Sequence, residues 1–448
     1  METEIFDVIV IGTGSGASVA HKCAKAGKKV AIIDSNPYGG TCQLRGCDPK
    51  KVLVGISQAL DMSNRLHYKG VTEPAKLSWK DMMKFKHTFT DPTPSKNDQS
   101  LIRAGVKTFH GRAAFQSENI LQVNGQLLKA EKIVLASGAK PAKLSIPGEQ
   151  FFIDCTAFLS LNELPDELLL IGGGYIAFEF GHLAARMGVK VKIIHRGKMP
   201  LENFDQDMVR NLLTATKLLG IELFLDTEVK GVVKENNRLV VHAEAKGKAI
   251  SFVTALAAHA AGRTADIDDM QLEKANVAYG TKGVEVNDYL QSVSNPNVYA
   301  CGDVNNRGLP LTPVGAKEAI IVASNLLKGN HTEIDYGHIP SNVFTVPALA
   351  MVGLTEQAAK SQGLNYKVNY EETTSWFASK RLNEPVSAYK VLLDKDTNQV
   401  LGAHLLGPHA EEIINIFTVA MNGNIKGDQL RKMIFSYPTN ASDIVYML

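Results

Sequence analysis

The run Asp7-Val8-Ile9-Val10-Ile11 is apolar after its first residue and stops at Gly12. An apolar run without alternation marks a strand buried on both faces, as in a parallel sheet. The glycine-rich stretch Gly12-Thr13-Gly14-Ser15-Gly16-Ala17 then opens a helix, and a second run, Lys29-Val30-Ala31-Ile32-Ile33, closes on Asp34. The same rhythm returns at Leu168-Leu169-Leu170-Ile171, followed by Gly172-Gly173-Gly174-Tyr175-Ile176 and a strand over Lys190-Val191-Lys192-Ile193-Ile194. The last third changes character. Alternating segments at 389–394 and 399–406, bounded by turn residues, predict strands, and helical spacing runs over 411–421. Pro92 and Pro94 predict a break in what otherwise reads as one long helix.

Composition narrows the class. At 448 residues, with 45% apolar and 21% charged residues, the chain is long enough for two or three domains with real cores. Net charge is +2 without a basic block, so a nucleic-acid or membrane-surface role gains no support. The N-terminal residues run straight into a strand with no basic leader, and no apolar run reaches spanning length, so neither a signal peptide nor a membrane helix is expected. Five cysteines in 448 residues fit a reducing compartment, where a disulfide is more often catalytic than structural; a cytoplasmic location is expected.

Each strand–glycine–helix unit has the makings of a dinucleotide site. Gly12, Gly14 and Ala17 permit a tight turn, close approach of backbone to pyrophosphate, and helix-on-strand packing. The pyrophosphate then meets the unpaired N–H groups and the dipole of the helix N-terminus. Asp34 stands where a carboxylate bonds ribose hydroxyls. Two such units predict two dinucleotides. The second strand ends in His195-Arg196 with no carboxylate, which favours the 2′-phosphate of NADPH over NADH, whereas Glu202 works against it.

Between the units lies Gly39-Gly40-Thr41-Cys42-Gln43-Leu44-Arg45-Gly46-Cys47-Asp48-Pro49-Lys50-Lys51. On a regular helix, α-carbons five residues apart are about 8–9 Å apart, beyond the roughly 4.4–6.8 Å that a disulfide spans. A bridge from Cys42 to Cys47 therefore needs a distorted turn, which Gly46 and Pro49 can supply. Two reduced core thiols are the alternative; the flanking nucleotide motifs favour a redox-active pair beside a flavin. Asp48 should raise the pKa of a neighbouring thiol. Cys23, Cys155 and Cys301 sit in apolar segments and read as core residues, and no metal-ligand spacing is visible.

These motifs, with Ala136-Ser137-Gly138-Ala139-Lys140-Pro141, Val298-Tyr299-Ala300-Cys301-Gly302-Asp303 and Leu311-Thr312-Pro313-Val314, resemble the class I pyridine nucleotide–disulfide oxidoreductases. That family includes glutathione reductase, mercuric reductase and dihydrolipoamide dehydrogenase, and the resemblance runs nearly end to end. It implies an α/β fold with two Rossmann-like dinucleotide-binding domains and a C-terminal α+β dimerisation domain. The implied division is an FAD domain over 1–148 and 264–333, an NAD(P)H domain over 149–263 and an interface domain over 334–448 of a homodimer. It implies FAD contacts from Gly12, Gly14, Ser15, Gly16, Ala17, Asp34, Gly40, Thr41, Lys50, Ala113, Ser137, Gly138, Asp303 and Thr312. Nicotinamide-nucleotide contacts would come from Gly172, Gly174, Tyr175, Ile176, Glu179, His195, Arg196 and Gly262. Cys42 would be the thiol that attacks substrate and Cys47 the thiolate against the flavin, with Lys50 paired to Glu179.

One departure bears on the acceptor. Where the family's disulfide reductases carry a histidine before Pro-Thr, this chain has Tyr437, and Ser442 stands in place of the glutamate five residues on. A phenol with pKa near 10 is a poor base at neutral pH, and a positioned acid–base group is typically worth about 10²–10⁴-fold. A glutathione-like disulfide thus becomes less natural than a persulfide, quinone, metal ion or reactive oxidant. Mercury reduction is disfavoured because no vicinal cysteine pair precedes the terminal Val445-Tyr446-Met447-Leu448.

Overall fold

Each apolar run becomes a strand, and each glycine stretch turns the chain into a helix. The computed structural model describes residues 3–448. It divides into two compact units. The first comprises Met1–Lys50, Lys84–Lys143 and Gly262–Tyr336, and the second Lys51–Met83, Leu144–Ala261 and Gly337–Leu448.

In the first unit, Glu4–Ile11 lies parallel to Val30–Asp34 on one side and to Gln126–Leu135 on the other. Lys107–His110 extends the sheet beyond Val30–Asp34, and Val298–Ala300 pairs with Gln126–Leu135. Ile9, Val10, Ile32 and Ile33 are fully excluded from solvent, as unalternated runs require. Each such side chain contributes about 1.5–3 kcal/mol relative to exposure, so an Ile9→Asp change would break the sheet's centre. The helix Gly16–Lys25 follows the first glycine turn, with Val19, Ala20 and Cys23 as its buried face. The break expected at the proline pair is present: one helix covers Trp79–Thr90 and the next Thr93–Arg103.

In the second unit, a four-stranded parallel sheet has the order Glu222–Phe224, Lys190–Ile194, Glu167–Ile171, Leu256–His259. A three-stranded antiparallel sheet, Thr227–Glu235, Arg238–Ala245 and Lys248–Thr254, is inserted between its third and fourth members in chain order. The C-terminal segment forms a five-stranded antiparallel sheet that contains Ala388–Asp394 and Val400–Gly407. The helix Ala410–Asn422 packs Ile414 and Phe417 onto it. No described helix is long and apolar enough to cross a membrane.

Candidate active site

The helix that begins at Gly40 stops at Arg45, and a new one starts at Cys47. Between them Gly46 takes φ −141° and ψ −112°, and a Cβ there would lie 2.9 Å from the Thr41 carbonyl oxygen. The helix break that the cysteine spacing demands is therefore made at the one residue without a side chain. Both cysteines are free in this structure. Thr312, first residue of the helix Thr312–Lys328, brings them together. Its Oγ1 donates to Cys42 Sγ at 3.1 Å and lies 3.6 Å from Cys47 Sγ. A hydroxyl has one proton; with that proton on Cys42, the Cys47 contact is a thiol donating to the Thr312 oxygen. The Cys42 thiol is pushed up by its hydrogen bond with Cys47 and by burial, and Thr312 opposes the shift. The carboxylate of Asp48 adds to the rise from 3.9 Å, so Asp48 acts on Cys42.

The rest of the first unit fits a bound dinucleotide. Gly12 has φ +104°, and a Cβ on it would stand 2.1 Å from the Ala136 carbonyl oxygen. Gly40 packs so closely on Gly14 that its Cβ would fall 2.6 Å from the Gly14 α-carbon. Neither site tolerates a side chain, because neighbouring backbone fills the space a Cβ would need. Ser15 precedes the helix that holds Gly16 and Ala17, and no side chain caps that N-terminus. Asp34, at the end of its strand, is held by the Thr13 amide at 2.8 Å, the Thr13 hydroxyl at 2.6 Å and the Asn36 amide at 2.8 Å. Ser137 Oγ is buried without a hydrogen-bond partner, next to Gly138. An orphaned hydroxyl in that loop fits a ligand that supplies the missing bond. Asp303 has its carboxyl raised by burial, against the pull of Arg263. Thr41 and Lys50 lie near the cysteines in sequence, Lys50 being buried. Ala113 opens a strand, and Gly262 turns at φ +110°.

In the second unit, Gly172, Gly173 and Gly174 lead into the helix Tyr175–Arg186, whose N-terminus again has no side-chain cap. Gly174 has open space where a Cβ would project, Tyr175 is 40% exposed, and Ile176 follows it. Glu179 is buried on this helix. Its Oε1 accepts the Phe344 amide at 2.9 Å, and its Oε2 meets Lys51 Nζ at 3.3 Å. Lys51 Nζ also stands 3.7 Å from the centre of the Phe344 ring. Lys51 thus meets Glu179 within this unit.

The His195 ring is held against its own loop. Its Nε2 bonds the Met199 carbonyl at 3.0 Å and lies 3.6 Å from Glu202 Oε1. The Glu202 side chain stays 73% exposed. With Lys198, Lys246, Asp226, Glu228 and Glu244, Arg196 lines an open cavity of about 440 Å³. Tyr437 is 80% exposed, and Ser442 caps its own turn by exchanging bonds with Thr439.

Comparison with known proteins places these features in context. Residues 6–319 match the family model "Pyridine nucleotide-disulphide oxidoreductase", and 339–448 match that family's dimerisation domain. A glutathione reductase of Burkholderia cepacia is 31% identical over 457 residues, 99% of each chain. A 19.7 kDa protein of a Staphylococcus aureus mercuric resistance operon is 53% identical over 180 residues, covering all of that protein and 40% of this chain. The Escherichia coli structure described as a Cu(II) complex of the HOCl-induced flavoprotein disulfide reductase RclA superimposes with TM-score 0.89 at 28% identity. It covers 100% of this chain and 99% of that one.

Proposed function

Because the chain belongs to the pyridine nucleotide–disulphide oxidoreductases, flavoenzymes that use FAD and NAD(P)H, we propose that it spends NADPH on a small thiol-reactive acceptor through Cys42 and Cys47. When bound, the nicotinamide nucleotide would donate a hydride, and FAD would accept it and pass on two electrons. The chain's own residues do the rest. Gly12, Gly14, Gly40, Asp34, Ser137 and Asp303 hold the flavin, and Gly172, Gly174 and Arg196 hold the nicotinamide nucleotide. The Lys51–Glu179 pair keeps a cation fixed by a buried carboxylate. Each cycle takes the pair from disulfide to two thiols with two electrons and two protons; Cys42 Sγ then attacks the acceptor and displaces its leaving group, and Cys47 Sγ attacks Cys42 Sγ, expelling the bound fragment in reduced form as the bridge re-forms.

The observation that carries this reading is the single Thr312 hydroxyl within reach of both sulfurs. A hydroxyl placed there holds the thiols in the geometry of exchange and favours ionisation of Cys42. Tyr437 in place of a histidine favours acceptors whose leaving group needs no protonation, such as persulfides or reactive oxidants. We assign FAD binding to 1–148 and 264–333, NADPH binding to 149–263 and homodimer formation to 334–448, and we place the enzyme in the cytoplasm.

A second reading, reduction of a metal ion or oxidant at the flavin, is favoured by the E. coli relative, which is described as HOCl-induced and as a Cu(II) complex. Anaerobic titration with NADPH separates the two. Uptake of two electrons with a long-wavelength thiolate–flavin absorbance, lost in Cys42→Ser, supports the dithiol route. Flavin bleaching that is identical in wild type and Cys42→Ser rejects it and leaves the flavin-side reading.

A further inference from the structure

The helix that presents Thr312 also carries Glu318, and Glu318 has no exposure at all. A buried carboxylate persists only where hydrogen bonds replace its water. Here the replacements are neutral. Oε2 accepts the Gly302 amide at 2.6 Å and the Asn305 side-chain amide at 2.8 Å, while Oε1 accepts the Tyr336 hydroxyl at 2.7 Å. Burial and the nearby Asp303 charge push its pKa up, and those three donors hold it down. Gly308 packs against the same group, because a Cβ there would stand 2.4 Å from Oε1.

Two of the three donors bracket Asp303. Gly302, at φ +77°, precedes it, and Asn305 closes the turn by bonding the Gly302 carbonyl through its backbone N–H at 3.1 Å and its side chain at 2.9 Å. The carboxylate thus ties both ends of the 302–305 turn to the 312–328 helix. Nothing in the sequence motif points to Glu318, which lies 15 residues beyond Asp303.

We infer that Glu318 is a positioning residue for flavin binding, the buried anchor that sets where the Asp303 carboxylate stands. The inference rests on the reading above that Asp303 holds the flavin. Leucine at 318 fills the space but leaves the Gly302 amide and the Asn305 side chain without their acceptor. Glutamine keeps one acceptor oxygen for them and can turn its NH₂ to the Tyr336 oxygen.

The test is FAD release from the holoenzyme, followed by flavin fluorescence at a temperature where circular dichroism shows the fold intact. Glu318→Leu should release FAD about tenfold faster or more, the scale of a lost charge-assisted bond. Glu318→Gln should stay within about threefold of wild type. Asn305→Ala, which cuts the same tie from the loop side, should also accelerate release, and it serves if Glu318→Leu does not fold. Wild-type release from Asn305→Ala, with Glu318→Leu losing FAD only as its dichroism collapses, overturns the inference and leaves Glu318 a purely structural residue. Asp303→Ala is the separate control: wild-type release there overturns the assignment of Asp303 itself.

Discussion

Replacing Thr312 with valine removes one hydroxyl and keeps nearly the same shape. The hydroxyl is the group that opposes the upward push of Cys47, burial and Asp48 on Cys42. Its loss should therefore raise the Cys42 pKa. A hydrogen bond to a charged group is worth about 1.5–3 kcal/mol, which corresponds to roughly 1–2 pH units at about 1.36 kcal/mol per unit. Thr312 is solvent-exposed, so water replaces part of the lost bond and the lower end applies. A rise of about one unit cuts the thiolate fraction near neutral pH about tenfold, but a more basic thiolate is about threefold more nucleophilic. Turnover limited by this attack should then fall only about threefold. The midpoint is the sharper readout. Iodoacetamide alkylation of the reduced enzyme, measured against pH on the peptide that carries Cys42, should shift up by about one unit in Thr312→Val. Thr312→Ser should restore it. A valine variant whose midpoint stays within about 0.2 units of wild type would refute the claim that this hydroxyl governs the pair.

Gly46→Ala should cost about 1–3 kcal/mol of stability and slow bridge closure, since the new Cβ meets the Thr41 carbonyl at 2.9 Å; equal chemical-denaturation midpoints would count against a strained helix break. Arg196→Ala should raise KM for NADPH about tenfold or more and leave KM for NADH unchanged, and an unaltered ratio would remove Arg196 from the 2′-phosphate site. Glu384 is 6% exposed, and burial, with Asp61 adding, raises its pKa to about 7 against Arg65, which lies 3.5 Å away. A carboxyl raised above its unfolded value binds protons better when folded, so its contribution is full below about pH 4.3 and is lost as pH rises through 7. The stability of wild type relative to Glu384→Gln should therefore fall by the order of 3 kcal/mol between those limits; a pH-independent difference in urea unfolding would show that Glu384 titrates normally.

The nucleotide folds were legible because their signal is local. An apolar run, a glycine turn and a terminal polar residue occupy fewer than 30 consecutive positions, and Val30–Asp34 came out buried at every residue, as its unbroken pattern required. The helix break at Gly46 was legible for a related reason: the cysteine spacing and the span of a disulfide conflict on any regular helix. What stayed hidden depends on partners distant in sequence. Thr312 reads as one more motif threonine until its hydroxyl is found 270 residues from Cys42, against both sulfurs. Lys51 meets Glu179 128 residues further along the chain, a contact that no local pattern announces. The ending of the second strand shows how the two kinds of information combine. His195-Arg196 is read from sequence as one basic pair, yet the His195 ring turns onto the Met199 carbonyl, a contact no spacing rule announces. The same turn leaves Glu202 3.6 Å from His195. Sequence supplies the residues of such a site, and long-range hydrogen bonding decides which of them are free to act.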